Sequence, residues 1–352
     1  MTLTDAGPQT GPSTLPVLDL SRLDDGGRAE FVDRLRAATR DFGFFYLVGH
    51  GIPGDLQSRL LEVARAFFAL PEASKLAIEK VHNPHYRGYS RLGGELTGGV
   101  VDRREQIDIG PEQEPLPTGP GQPDWATLVG PNPWPAELPE FRVVLQDWER
   151  ALEAVARRLL GAWLEALGQP ADLLDGAFTP ANQLIKVVRY PGRPDEDATP
   201  AAGSSDQGVG AHKDSGVLTL LFVEPGRPGL EVRHDDRWVP VPPLPDALIV
   251  NIGEMLETAT GGYLQATDHR VVSNSGTADR ISVPYFFNPR FDSTFPIWDL
   301  PPDLAAVAQG VSTDPANPIH AQYGENAIKS RVRSHPDVAQ RHHPHLIGKY
   351  DG

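Results

Sequence analysis

At 352 residues the chain can bury a large core, and its composition is ordinary for a globular protein. A formal charge of −15 argues against a nucleic-acid surface, and zero cysteines exclude disulfides, thiolate metal sites and a cysteine nucleophile. No basic-then-apolar leader opens the sequence and no apolar run is long enough to span a bilayer. The expectation is a cytoplasmic protein with neither membrane nor nucleic acid as partner.

Residues 1–14 are polar and rich in Gly, Pro and Thr, and are expected to form a flexible tail. Val17 to Leu20 alternates like a short strand. Phe31, Leu35, Ala38 and Phe42 recur at helical spacing, and Phe44 to Val48 reads as a buried strand closed by Gly49 and Gly51. A second helix is expected over 54–68. His50 reads as a hydrogen-bonded structural histidine. The segment from His82 to Tyr89 mixes a turn with aromatic and cationic side chains, and 105–109 reads as a strand. Residues 111–138 are an irregular connection crowded with Pro and Gly. An apolar stripe from Phe141 through Trp148, Val155 and Trp163 to Leu167 predicts one long helix, stopped by Gly168.

The second half changes character. Short candidate strands at 183–190, 217–223, 230–233, 238–241, 247–251, 269–273 and 281–288 alternate with turn-rich connections, including a polar loop over 191–208. Such spacing fits a β-sandwich or barrel. From about Pro301 the chain is expected to hold one more helical segment and then a surface tail with His342, His343 and His345.

The chemistry concentrates between His212 and Ser282. If His212-Lys213-Asp214 is a strand, alternation puts His212 and Asp214 on one face. With His269, two imidazoles and one carboxylate would occupy one side of a metal and leave the opposite positions open. That arrangement suits non-haem Fe(II), although zinc can use the same ligand types. Arg280 and Ser282 form another alternating pair, fit to hold a carboxylate in a fork.

These residues carry a family resemblance. Gly210-Ala211-His212-Lys213-Asp214-Ser215-Gly216, Val250-Asn251-Ile252-Gly253-Glu254, His269-Arg270-Val271, Arg280-Ile281-Ser282 and Phe286-Phe287-Asn288-Pro289 resemble the isopenicillin N synthase-like family of Fe(II)/2-oxoglutarate oxygenases. Leu15 to Leu20 and Asp41 to Pro53 look like its N-terminal region. The resemblance implies an α+β fold with a mainly β core, a double-stranded β-helix (jelly roll) buttressed by N-terminal and central helices. It implies one oxygenase domain over 15–352, with a helical and strand region at 15–170 and the jelly-roll core at 180–290. His212, Asp214 and His269 would hold Fe(II). Arg280, Ser282 and Tyr190 would hold 2-oxoglutarate as co-substrate with O₂, and a small organic molecule would be hydroxylated or otherwise oxidised, with succinate and CO₂ as co-products. Alternatives are an oxidase that does not use 2-oxoglutarate and a non-catalytic ligand-binding relative. Arg87, Tyr89, Arg189 and Phe286 are the candidate substrate residues. Three positions depart from the family pattern: Arg189 stands where a tyrosine is common, Glu254 where aspartate is, and Gly261-Gly262 where Asn-Gly is.

Overall fold

The computed structural model describes residues 15–193, 207–272, 277–312, 314–315 and 317–350. The expected tail at 1–14, much of the polar loop and the end of the strand expected at 269–273 lie outside them. In chain order the first half contains β1 (Val17–Asp19), α1 (Arg28–Asp41), β2 (Phe44–Val48), α2 (Gly54–Phe68), α3 (Glu72–Ala77), β3 (Gly88–Ser90), β4 (Leu96–Thr97), β5 (Val100–Val101), β6 (Glu105–Ile109) and α4 (Pro139–Ala166). The second half contains β7 (Asn182–Tyr190), β8 (Gln207–His212), β9 (Leu218–Val223), β10 (Leu230–His234), β11 (Arg237–Pro240), β12 (Leu248–Ile252), α5 (Glu254–Ala259), β13 (His269–Val272) and β14 (Arg280–Asn288). It closes with α6 (Pro302–Ala305), α7 (Tyr323–Ser334) and α8 (Pro336–His342). Among the described residues no helix is long and apolar enough to cross a membrane.

Two sheets carry the fold. The larger runs β1-β2-β12-β9-β14-β7-β6-β3 and the smaller β11-β10-β13-β8. Only the β1–β2 pairing is parallel among the named pairs of these two sheets. Strands of the first half, β2 and β6, thus flank strands of the second in one sheet. The paired strands are joined by jelly-roll connections rather than by hairpins alone.

Alternation along the large sheet divides its side chains between two cores. Ile185, Val187, Leu220, Phe222, Val250, Val283, Tyr285 and Phe287 face the helices, where the stripe of α4 meets them. The Trp148 ring stands edge-on to Phe222 with centroids 5.5 Å apart. From the other face Phe44, Tyr46, Val188, Tyr190, Val223 and Ile249 meet Val209, Leu230, Val232, Val239 and Val271 of the small sheet. The space between the two sheets is where His212, Asp214 and His269 converge.

Two expectations need correction. His212-Lys213-Asp214 is not a continuous strand, because β8 ends at His212 and the chain turns there. Nor is the C-terminal segment a surface tail. His343 is buried and stacks on Tyr86 with centroids 5.8 Å apart, beside a small core that includes Val332, Val338 and Leu346. Apolar residues spaced along α7 and α8 supply that core, and the polar histidines between them obscured the pattern.

Candidate active site

The register of the small sheet sets His269 of β13 directly opposite His212 at the end of β8. Their Nε2 atoms each lie 3.8 Å from Oδ1 of Asp214, and one ligand atom from each of the three residues falls within 4.8 Å of the others. The imidazole Nδ1–H groups donate to backbone carbonyls, His212 to Gly210 at 2.8 Å and His269 to Thr267 at 3.1 Å. A carbonyl only accepts, so both rings hold the tautomer that leaves a lone pair on Nε2. Asp214 is oriented in the same way. Its Oδ2 accepts from Thr219 Oγ at 2.6 Å and from Asn251 Nδ2 at 2.7 Å, which leaves Oδ1 aimed at the histidines.

The charges agree with a ligand set. Burial and the neighbouring His269 push His212 down to about 4 against the pull of Asp214, so its ring is neutral near pH 7. Burial works to raise the Asp214 carboxyl, but the two histidines and the Thr219 and Asn251 donors outweigh it and hold it below the usual range. Two imidazole nitrogens and one carboxylate oxygen on one side match the donor set of a mononuclear non-haem iron centre.

Arg280 opens β14 opposite Tyr190, and Ser282 follows two residues on opposite Val188, so Arg280 and Ser282 share the inner face. The Arg280 guanidinium is buried, lies 4.8 Å from the Tyr190 ring centroid, and donates through Nε to the Arg227 carbonyl at 3.2 Å. Its Nη1 is buried without a partner. A buried guanidinium nitrogen left unpaired is costly, and a bound carboxylate would satisfy it.

The four expected substrate residues do not converge. Phe286 shares the inner face with Arg280 and pairs with Thr219, whose hydroxyl holds Asp214. Arg189 pairs with Ile281 on the opposite, helix-facing side, where it bonds Asp279 and Glu105. Tyr89 is on that side as well, packed near Phe67 and donating to Glu105. Arg87 is buried in the connection, its nitrogens taken by the Pro111 and Leu128 carbonyls and by Asn132. A mixture of charge and aromaticity identified these residues without the strand parity that decides which way each points.

Other residues of the site were not singled out from the sequence. Thr219 and Asn251 hold the Asp214 carboxylate; Asn251 lay in a motif already noted, while Thr219 is a common strand residue with no signal of its own. Asp102 accepts from the Gly210 amide at 3.2 Å and from Gln207 Nε2 at 3.0 Å, anchoring the strand end that carries His212.

Comparison with known proteins agrees with this geometry. Residues 15–137 match the N-terminal region of the non-haem dioxygenases of morphine synthesis, and residues 181–289 match the 2OG-Fe(II) oxygenase superfamily. The chain is 34% identical to the 2-oxoglutarate-dependent dioxygenase frbJ of Dothideomycetidae sp. (strain 11243), covering 93% of this chain and 91% of that protein. It is 35% identical to the homoarginine-6-hydroxylase 2-ODD-C23.1 of Arabidopsis thaliana over 80% of this chain and 86% of that one. A crystal structure of a 2OG-Fe(II) oxygenase family protein from Caulobacter crescentus superposes with a TM-score of 0.70 at 28% identity, covering 90% of this chain and 98% of that one.

Proposed function

Because the chain belongs to the 2OG-Fe(II) oxygenase superfamily and is a 2-oxoglutarate-dependent dioxygenase, we propose that His212, Asp214 and His269 hold its Fe(II) and that Arg280, Ser282 and Tyr190 hold its 2-oxoglutarate. The observation that carries this reading is the set of three inward ligand atoms, each fixed by a second bond behind it. When bound, iron, 2-oxoglutarate and O₂ supply the oxidation of a small organic substrate, with succinate and CO₂ as co-products.

The chain's own residues do the rest. The Gly210 and Thr267 carbonyls hold the two rings by Nδ1, so that Nε2 is the nitrogen each turns toward the metal. Thr219 and Asn251 hold one carboxylate oxygen so that the other faces the ion. Arg280 offers its unpaired Nη1 to the distal carboxylate of 2-oxoglutarate, with the Ser282 hydroxyl on the same face. Phe44 stands edge-on to His269 at 5.2 Å, and with Val209 and Val271 it keeps the inter-sheet side of the centre apolar. Residues 15–352 act as one oxygenase unit in this reading, because strands from both halves complete the sheet behind the site.

The test is anaerobic Fe(II) titration of wild type and Asp214→Ala. The variant is expected to lose Fe(II) affinity by more than about 100-fold, beyond the effect of a residue behind the ligands. A folded Asp214→Ala protein that binds Fe(II) like wild type would remove the assignment.

A further inference from the structure

Beyond the metal centre, the inner face of β6 and β7 is charged where the rest of the inter-sheet space is apolar. Lys80, Arg104, Lys186 and Arg331, four cations, are gathered with Glu95, Asp102 and Asp108, three carboxylates, and all three acids are buried. Glu95 Oε1 meets Lys186 Nζ at 2.7 Å and Arg104 Nη2 at 3.3 Å. Asp108 meets Lys80 Nζ at 2.9 Å and Arg331 Nη1 at 3.4 Å, and Lys80 donates to Nε2 of His335 at 2.9 Å. The last two partners come from the end of the chain, so α7 and the residue after it pack against this cluster.

The network is not complete in itself. Glu95 Oε2, Arg104 Nε, Gln106 Oε1 and Ser90 Oγ are all buried without a hydrogen-bond partner. They are neighbours: Arg104 and Gln106 alternate onto one face, Ser90 pairs with Gln106 across β3 and β6, and Glu95 binds Arg104. The Gln106 amide is oriented by its Nε2–H donating to Asp108 Oδ1 at 2.6 Å, which leaves the carbonyl oxygen as the free end. An isolated lapse of this kind is ordinary, but four on neighbouring residues of one cluster, one of them a carboxylate oxygen, are costly unless something binds there.

The cluster also adjoins the residues proposed to hold iron. Arg104 Nη2 donates to Asp102 at 2.9 Å, Asp102 accepts from the Gly210 amide, and the Gly210 carbonyl holds His212.

We propose that this charged cluster receives the substrate and that the substrate is a small zwitterion of the amino-acid type. A nitrogen cation, ammonium or guanidinium, donates to Glu95 Oε2 and Gln106 Oε1, while a substrate oxygen accepts from Arg104 Nε. The donor and acceptor types determine the class. Two free acceptors, one anionic, call for a cationic N–H group. A free guanidinium N–H among four cations and three carboxylates calls for an anionic or carbonyl oxygen beside it. The proposal rests on the oxygenase reading above and specifies its substrate.

The test is anaerobic calorimetry on wild-type protein loaded with Fe(II) and 2-oxoglutarate, with five probes. L-Homoarginine carries both cations, 4-guanidinobutanoate only the guanidinium and L-norleucine only the ammonium; hexanoate carries neither, and thymine is an uncharged donor–acceptor ring. At least one cationic probe is expected to bind ten times more tightly than hexanoate and thymine, and the guanidinobutanoate and norleucine arms identify which cation is held. Glu95→Gln should weaken that probe by 30-fold or more. Because Glu95 also balances Lys186 and Arg104, Gln106→Met, which alters no charge, is the second variant, with a tenfold loss expected. Wild type that binds no cationic probe, or binds hexanoate or thymine as tightly, overturns the proposal, as does a folded Glu95→Gln or Gln106→Met protein with wild-type affinity. Failure of Fe(II) or 2-oxoglutarate to bind wild type in the loading step would instead remove the oxygenase assignment itself.

Discussion

The two faces of the large sheet are built from the same strands, yet the residues of the candidate site stand on only one of them. On the helix side, β7, β9, β12 and β14 present aliphatic and aromatic residues that close-pack against α1, α2 and α4. On the other side the same strands present Tyr190, Ser282, Thr219 and Asn251, and β6 adds Gln106 and Asp108. The difference shows that parity along a strand, more than residue type, separates scaffold from site here. A one-residue shift carries a side chain from one function to the other.

The largest effect expected from breaking this contrast is at Arg280. Its guanidinium presents coplanar donors, whereas lysine presents a more mobile point charge. Losing a charge-assisted contact to a buried carboxylate costs about 2 to 5 kcal/mol, roughly 30- to several-thousand-fold in affinity. Arg280→Lys should therefore raise the 2-oxoglutarate concentration needed for half-maximal succinate formation by about 30-fold or more, with Fe(II) affinity nearly intact. An unchanged 2-oxoglutarate dependence in a folded variant would contradict the clamp.

A smaller effect is expected one layer behind the metal. Thr219→Val keeps the shape of the side chain but removes the hydroxyl that holds Asp214 Oδ2. Fe(II) affinity should fall about 10- to 100-fold, with the thermal midpoint little changed. Equal affinities for wild type and variant would mean that Asn251 alone orients the carboxylate.

The helix-facing side should respond in the opposite sense. Trp148 is fully buried between α4 and the sheet, and Trp148→Ala should cost about 3 to 5 kcal/mol in urea unfolding. The fraction that remains folded should bind Fe(II) like wild type. A loss of iron affinity larger than the loss of stability would show the two faces to be mechanically coupled.

Much of this division is legible in the sequence. The stripe of α4 and the period-two runs of β7 and β14 announce their buried faces, and the ligand triplet survives even though its local geometry is a strand end and turn instead of a strand. Arg280 and Ser282 are legible as an alternating pair, whereas Tyr190 is singled out only by the family resemblance and its register opposite Arg280 only by the sheet. What is not legible depends on long-range pairing. Nothing local to Glu95 or Asp108 indicates that Lys186 and Arg331, about a hundred and more than two hundred residues away, are their respective partners. The C-terminal segment is misread for the same reason, since its core partners Tyr86 and Leu128 lie far back in the chain.

Arg189 provides the smallest expected effect and the sharpest check of parity. Read by type it belongs at the substrate; read by register it points to the helix side, next to Asp279 and Glu105. Its side chain is 27% exposed and Asp279 is 42% exposed, so their pair is screened by solvent. Glu105 keeps a second cation, Lys75 at 3.1 Å, when the arginine is removed. Arg189→Gln should accordingly change stability by no more than about 1 kcal/mol and leave substrate preference unaltered. The measurement is a thermal melt paired with succinate formation across a panel of small acids, amino acids and neutral rings. A changed preference in a protein of unchanged stability would place Arg189 at the substrate after all and show that β7 lends both of its faces to the site.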